Sequence, residues 1–264
     1  MYIASFATHP PRRNRKTKSM NSIWKESFPV RSFDVGIANL LKVQTIFQFF
    51  QEAAGNHATH LGVGYDALRS LGLFWVLSRV KVEITRLPHW GDEITLTTWP
   101  KGVDRLFALR DFRMSTGDGT ALARGTSCWL LVDSEKMRPR RLDSIDRSFP
   151  LNDREHALRE TLDKIPVPPG LAPAYERKVM RSDLDVNNHV NNTEYARWIT
   201  DALGDSEGAS LRALQINYLE EAKLGETLAF SAGHIGGEGK TWLIEGVNRA
   251  NGRSIVQARA DLEP

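Results

Sequence analysis

Two stretches of the chain share one pattern of apolar and polar positions. Residues 30–53, VRSFDVGIANLLKVQTIFQFFQEA, resemble residues 180–202, MRSDLDVNNHVNNTEYARWITDA; each reads as a short extended piece followed by a helix. In the first copy Leu40, Leu41, Val43, Ile46, Phe47, Phe49, Phe50 and Ala54 make a helix expected over residues 38–60 apolar around most of its circumference. Such a helix has to be wrapped, and the strands of its own copy are the available wrapping. The match continues downstream. Residues 76–99 align with 211–233 through Trp90-Gly91-Asp92 against Leu224-Gly225-Glu226, both reading as strand, turn, strand. Asp118-Gly119 and Asn251-Gly252 then sit between β-rich runs, a strong hairpin signal. The pattern predicts a tandem duplication of an α+β unit, a long helix held against a curved antiparallel sheet. Between the copies lies a charged and then Pro- and Gly-rich stretch. The expected organisation is a basic, disordered extension over residues 1–22, a first unit over 23–150, a linker over 151–174 and a second unit over 175–264.

Composition narrows the class. The 264 residues suit two compact units of about 100–150 residues each, and the 41% apolar and 25% charged content is that of a globular protein. No run of about 18 apolar residues occurs. The single cysteine, Cys128, excludes an intrachain disulfide framework and favours a reducing, cytoplasmic setting. A pI near 9.0 at a net charge of only +3 owes much to the basic N-terminal arm, so nucleic-acid binding does not follow, although a mildly basic surface suits an acidic partner.

The candidate chemistry sits in the second copy. Asp185, Asn187 and His189 are spaced two apart, which in an extended segment projects them to one side. Asn191 is placed as an N-cap, with Glu194 three residues later as a capping box. Tyr195, Trp198, Ile199 and Leu203 supply the apolar stripe of the helix that follows. Free amides at the start of that helix would face the polar cluster and stabilise an oxyanion. The copies control for one another: on the sequence match Gly36 and Ala38 occupy the places of Asn187 and His189, Asp34 matches Asp185, and Leu87 stands where the second copy has Glu221. Residues needed only to form the turn should recur in both copies, and here they do not.

At these residues the chain resembles the acyl-ACP thioesterases of plants and bacteria. SDLDVNNHVNN before a helix with Tyr195 and Trp198 carries the likeness, which extends through FWVLSRVKVEITRLPHWGDEITLTTW and YLEEA and covers residues 23–263. The resemblance implies a tandem hot-dog fold, hydrolysis of fatty acyl-ACP to free fatty acid, acyl carrier protein as partner, a bacterial cytoplasmic location, and Asp185, Asn187, His189 and Glu221 as the catalytic set. Where plant members have a cysteine after the glutamate, this chain has Ala222, and Cys128 lies in the other copy. Carboxylate chemistry is left in two forms: a carboxylate, Glu221 or Asp185, as general base on water, or Asp185 as nucleophile forming a mixed anhydride. Asn187 would orient the carboxylate or water, His189 would orient Glu221 or shuttle the proton, and amides of residues 188–191 would hold the oxyanion. No cofactor and no metal is required, because a thiolate leaves readily.

The first copy is expected to house the acyl chain, with Phe47, Phe50, Leu61, Trp75 and Leu77 as candidate lining, and Arg181, Lys178, Arg110 and Arg113 as candidate docking residues. GHIGGEGKTW lacks phosphate-loop spacing and reads as a hairpin turn, and His57 with His60 lacks a third metal ligand. Two units in one chain can pair with each other, so a monomer suffices and a homodimer is allowed.

Overall fold

The computed structural model describes residues 21–145, 150–204, 210–235 and 241–263. The expected N-terminal extension therefore lies, apart from its last two residues, outside the described residues. The first copy runs β1 (Trp24–Pro29), α1 (Val43–His60), α2 (Tyr65–Arg69), β2 (Leu73–Ile84), β3 (Glu93–Asp104), β4 (Phe107–Thr116), β5 (Ala121–Asp133) and the short β6 (Arg138–Arg140). The second runs β7 (Ala172–Lys178), α3 (Asn192–Ala202), β8 (Ser210–Tyr218), β9 (Thr227–Ile235), β10 (Thr241–Asn248) and β11 (Ser254–Glu263). Among the described residues no helix is long and apolar enough to cross a membrane.

All strands join one antiparallel sheet in the order β1-β3-β4-β5-β2-β8-β11-β10-β9-β7, with β6 added to β5. The copies fuse where β2 meets β8, from Arg79 opposite Asn217 to Glu83 opposite Ala213. Both expected hairpin turns form, with Gly119 at φ 90° and Gly252 at φ 70°, backbone angles that glycine adopts without strain. The sheet curls around both helices, and residues of both copies, among them Ile46, Phe50, Phe112, Trp198, Ile216 and Phe230, fill a shared main core, with a smaller cluster around Leu61, Leu68 and Leu131 in the first copy. This is the α+β, tandem hot-dog architecture that the repeat predicts. A hydrogen bond from Gln44 Nε2 to Glu194 Oε1, 2.8 Å, ties α1 to α3.

α1 begins at Val43, not at residue 38. Residues 34–42 instead form a tight turn in which Gly36 N donates to Leu40 O and Asn39 takes φ 58°, a left-handed angle closed to a continuing helix.

The segment between the copies is a strap across the outer face of the sheet. Its own Ala157, Leu158, Leu162 and Ile165 are buried. Trp99 Nε1 donates to Glu155 O at 3.0 Å, Ala157 N donates to Asp111 Oδ2 at 2.6 Å, and Gln215 Nε2 donates to Asp163 O at 2.8 Å. The strap thus crosses from strands of the first copy to β8 of the second. Asp111 is wholly buried, which pushes its pKa up; Lys101, 3.4 Å away, and the Thr126 hydroxyl offset that burial.

Within the core, Phe50 on α1 stacks on Phe112 of β4, centroids 4.2 Å apart, because Gly125 on β5 leaves room for it. A Cβ at Gly125 would lie 2.6 Å from Phe50 Cε2 and 2.7 Å from Lys81 O. One of those neighbours is backbone and cannot swing aside. Gly125→Ala is expected to destabilise the protein by about 1–3 kcal/mol in chemical unfolding; an unchanged midpoint would show that the helix and sheet yield freely at this contact.

Candidate active site

The site is built on the turn that precedes α3. Its anchor is Asp183, 2% exposed, whose carboxylate accepts from Met180 N at 2.7 Å, from Arg177 Nη2 at 2.8 Å and from Arg197 Nη2 at 3.3 Å. Beyond it, Asp185 N donates to His189 O, Asn188 N to Asp185 O and Asn191 N to Asp183 O, with Asn188 at φ 61°. The first copy repeats these bonds one for one: Gly36 N to Leu40 O, Asn39 N to Gly36 O, Lys42 N to Asp34 O, with Asp34 accepting from Arg31 N and Asn39 at φ 58°.

These bonds correct the sequence register by two residues. Asp34 corresponds to the buried Asp183, and Gly36, Ala38 and Leu40 correspond to Asp185, Asn187 and His189. The shared Asp-Val pair, residues 34–35 and 185–186, draws the sequences into the wrong alignment, two residues away from the match of Asp34 with Asp183. On the strand side the match holds: Val30 N donates to Asp92 O as Val179 N does to Glu226 O, which sets Leu87 opposite Glu221. All four positions are thus glycine or apolar in the first copy, although its turn has the same backbone. The polar side chains of the second copy are not needed to make the turn.

His189 Nε2 and Glu221 Oε2 lie 3.2 Å apart, with side chains 42% and 46% exposed, so the pair is open to water. Asp185 Oδ1 accepts from Asn187 N at 2.8 Å and, at the long limit of 3.5 Å, from His189 N. Among the described residues Asp185 Oδ2 and the side-chain amide of Asn187 make no hydrogen bond. Asp185, Asn187, His189 and Glu221 all line one cavity of about 990 Å³. Their convergence comes from the turn, not from the alternation of an extended strand.

Three local expectations change. Asn191 does cap α3, accepting from Thr193 N at 3.0 Å, but Glu194 does not close a capping box, since the Asn191 amide is already given to Asp183 O and Glu194 bonds Gln44 and Arg197 instead. The amides of Asn187, Asn188, His189 and Asn191 are occupied within the turn, so they are not free oxyanion donors. A donor that the sequence did not signal is Tyr195, read there only as apolar stripe. Its hydroxyl lines the cavity and accepts from Ala222 N at 3.3 Å, beside Glu221; burial raises its pKa and keeps the proton on the oxygen.

The cavity extends into the first copy between the second half of α1, the start of β2 and the end of α2. Leu61, Trp75 and Leu77 line it as expected. Phe47 and Phe50 do not; they border a separate void of about 20 Å³ inside the core. Arg110, expected on a docking surface, points inward and lines the cavity, and Arg113 pairs with Glu155 and stacks over Trp99 on the outer face. Lys178 and Arg181 are exposed near the turn. Cys128 is buried in β5, which pushes its thiol pKa up to about 11.

Sequence models for the acyl-ACP thioesterase N-terminal and C-terminal domains match residues 21–145 and 173–263. A chloroplastic oleoyl-acyl carrier protein thioesterase of Arabidopsis thaliana is 29% identical over 236 residues, covering 81% of this chain and 65% of its own length. The chain spans less than two thirds of the length of the curated relatives it matches. An acyl-ACP thioesterase from Bacteroides thetaiotaomicron superposes with a TM-score of 0.79 at 23% identity, covering 92% of this chain and 98% of that one. A 12:0-ACP thioesterase from Umbellularia californica gives 0.74 at 24% identity, with the same coverage. Both have the fold described above.

The two aspartates two residues apart should separate cleanly by mutation. Asp183→Ala leaves a buried amide and two guanidinium groups without their acceptor and is expected to cost about 3–5 kcal/mol of stability. Asp185→Ala removes a partly exposed carboxylate and should cost less than about 1 kcal/mol. Equal losses in denaturant titrations would contradict the division between an anchoring and a reactive aspartate.

Proposed function

The chain belongs to the acyl-ACP thioesterase family, and from that premise we propose that it hydrolyses the thioester between a fatty acyl chain and acyl carrier protein, releasing free fatty acid. The observation that carries this reading is the water-accessible His189–Glu221 pair on the wall of a largely apolar cavity, present in the one copy and replaced by leucines in the other.

In the proposed reaction the acyl chain lies in the cavity with its carbonyl beside the turn. Glu221, held by His189, takes a proton from a water whose oxygen adds to the carbonyl carbon, and Asp185 Oδ2 orients that water. The Tyr195 hydroxyl donates to the carbonyl oxygen as it gains negative charge. Collapse of the tetrahedral adduct breaks the carbon–sulfur bond, and the departing thiolate recovers the proton from Glu221. A thiol with a pKa near 8.5 leaves without stronger acid assistance. In this scheme residues 175–264 supply the chemistry, residues 23–150 house the chain, and residues 151–174 join them. Lys178 and Arg181 beside the turn would meet an acidic carrier protein through salt-sensitive attraction. A monomer acting in the cytoplasm accommodates all of these roles.

Thiol release from acyl-ACP substrates of graded chain length tests the proposal. Wild type should turn over, while Asp185→Ala and Glu221→Gln should each lose about 10²–10⁴-fold in kcat. Full activity of Asp185→Ala would defeat the assignment. Release from acyl-CoA but from no acyl-ACP would replace the carrier, and retention of a bound acyl chain without any release would indicate a binding protein. In a single turnover in ¹⁸O-water, label in the Asp185 carboxylate would mark an anhydride opened by water at the Asp185 carboxyl carbon.

A further inference from the structure

The cavity wall holds one feature that a purely hydrocarbon chain does not use. Arg110 sits on β4 next to Asp111, which faces outward to Lys101 and the strap, so Arg110 turns its own side chain inward. Its Nη1 donates to His57 Nδ1 at 3.0 Å and, more weakly, to Thr98 Oγ1 at 3.3 Å. Among the described residues Nε and Nη2 have no partner, and no carboxylate lies within ion-pair distance. His57 cannot balance the charge. It is buried and donates through Nε2 to Asn21 O at 3.0 Å, and burial lowers its pKa to about 4, so it is neutral at physiological pH. Arg110 itself, drawn down by burial to about 10, remains a cation there.

Arg110 is half-buried, so its guanidinium is partly screened from bulk water and gains from an acceptor on each open donor. Here the open donors belong to a side chain on a cavity wall that also includes Ala54, Ala58, Leu61 and Leu77. The distance from the reacting end follows from α1. Gln51 borders the same small void as Asn192 and Tyr218, hence the level of the turn, and His57 is six residues further along. At the α-helical rise that is roughly 9 Å. A chain attached at the turn would reach Arg110 several methylenes down its length.

Resting on the thioesterase reading of the same cavity, we propose that Arg110 forms a subsite for a hydrogen-bond-accepting oxygen on the acyl chain, so that the substrates are chains bearing a hydroxyl or carboxyl group distant from the thioester. An oxygen there fills the open positions on Nε and Nη2, whereas a methyl terminus leaves them unsatisfied. A site built to bond an oxygen discriminates strongly against the analogue lacking it.

The test compares pantetheine thioesters of matched, graded length carrying unsubstituted, ω-hydroxy and ω-carboxy chains, with wild type, Arg110→Met and Arg110→Lys. At the best length, an oxygenated chain should exceed the unsubstituted one in kcat/KM by at least about tenfold. Arg110→Met should abolish that ratio, and Arg110→Lys should keep part of it. Preference for the ω-carboxy over the ω-hydroxy chain would identify an anionic ligand, and the converse a neutral one. A ratio at or below one at every length, or a ratio unchanged in Arg110→Met, overturns the proposal. Should the variants fail to fold, calorimetry on wild type decides, with dodecanoic acid against 12-hydroxydodecanoic acid and dodecanedioic acid; equal affinity for all three overturns the subsite. If no thioester of any kind is hydrolysed, the thioesterase reading fails while the calorimetry still reports on Arg110.

Discussion

A buried carboxylate fixes the loop on which the chemistry depends. Asp183 gathers an amide and two guanidinium groups at one point, and Asp34 does the same for Arg31 in the first copy. Because these bonds tie the start of the turn to the strand before it, the side chains of Asp185, Asn187 and His189 are not needed to make the turn. The first copy demonstrates this directly, for it builds the same turn from Gly36, Ala38 and Leu40. On the proposed reading Asp185 and His189 are thereby left for reactivity. Placing the anchor in the protein interior and the reactive groups at the cavity mouth also separates two electrostatic regimes: the anchor needs low dielectric to be strong, and a general base needs water within reach.

Fusing the copies gives the second unit what it lacks. Its own helix, α3, ends at Ala202 after 11 residues, whereas α1 runs 18. The second half of α1, together with β2 and α2, forms the long wall of a cavity whose reactive end belongs to the other copy. The β2–β8 pairing and the common core hold the two halves of the site in register, and the strap repeats that connection on the opposite face of the sheet. A site divided in this way needs a rigid seam, and the seam is made of backbone pairing, which does not depend on side-chain rotamers.

Much of this was legible in the sequence, for stated physical reasons. Repeated hydrophobic patterns, paired turn glycines and a helix apolar on all sides determine the architecture almost alone, since few folds bury such a helix. The cluster around His189 and the contrast of Glu221 with Leu87 were visible as well. What was not legible depends on which way a side chain faces. Leu40 and Leu41 looked helical because they are apolar, yet the left-handed Asn39 ends any helix there. The turn register slipped because the identity of Asp34-Val35 with Asp185-Val186 outweighed the burial of Asp183, which no local pattern announces. Residues 151–165 read as a polar linker because their partners, Lys101, Asp111 and Gln215, lie on three separate strands.

Arg110 shows most plainly where charge misleads. An arginine in a strand is ordinarily a surface residue, and the mildly basic composition encourages a docking role. Strand parity argues otherwise: Phe112, two residues on, stacks inside on Phe50, so Arg110 must face the same way, while Asp111 must face out. The inward direction then imposes an electrostatic condition that the chain meets only in part. His57 is neutral, Thr98 is a distant acceptor, and Asp111, although adjacent in sequence, is directed to Lys101 across the sheet. A cation so placed makes one stretch of an otherwise apolar wall polar. On the proposed reading, chain selection in such a cavity depends on what the chain carries at that depth as well as on how long it is.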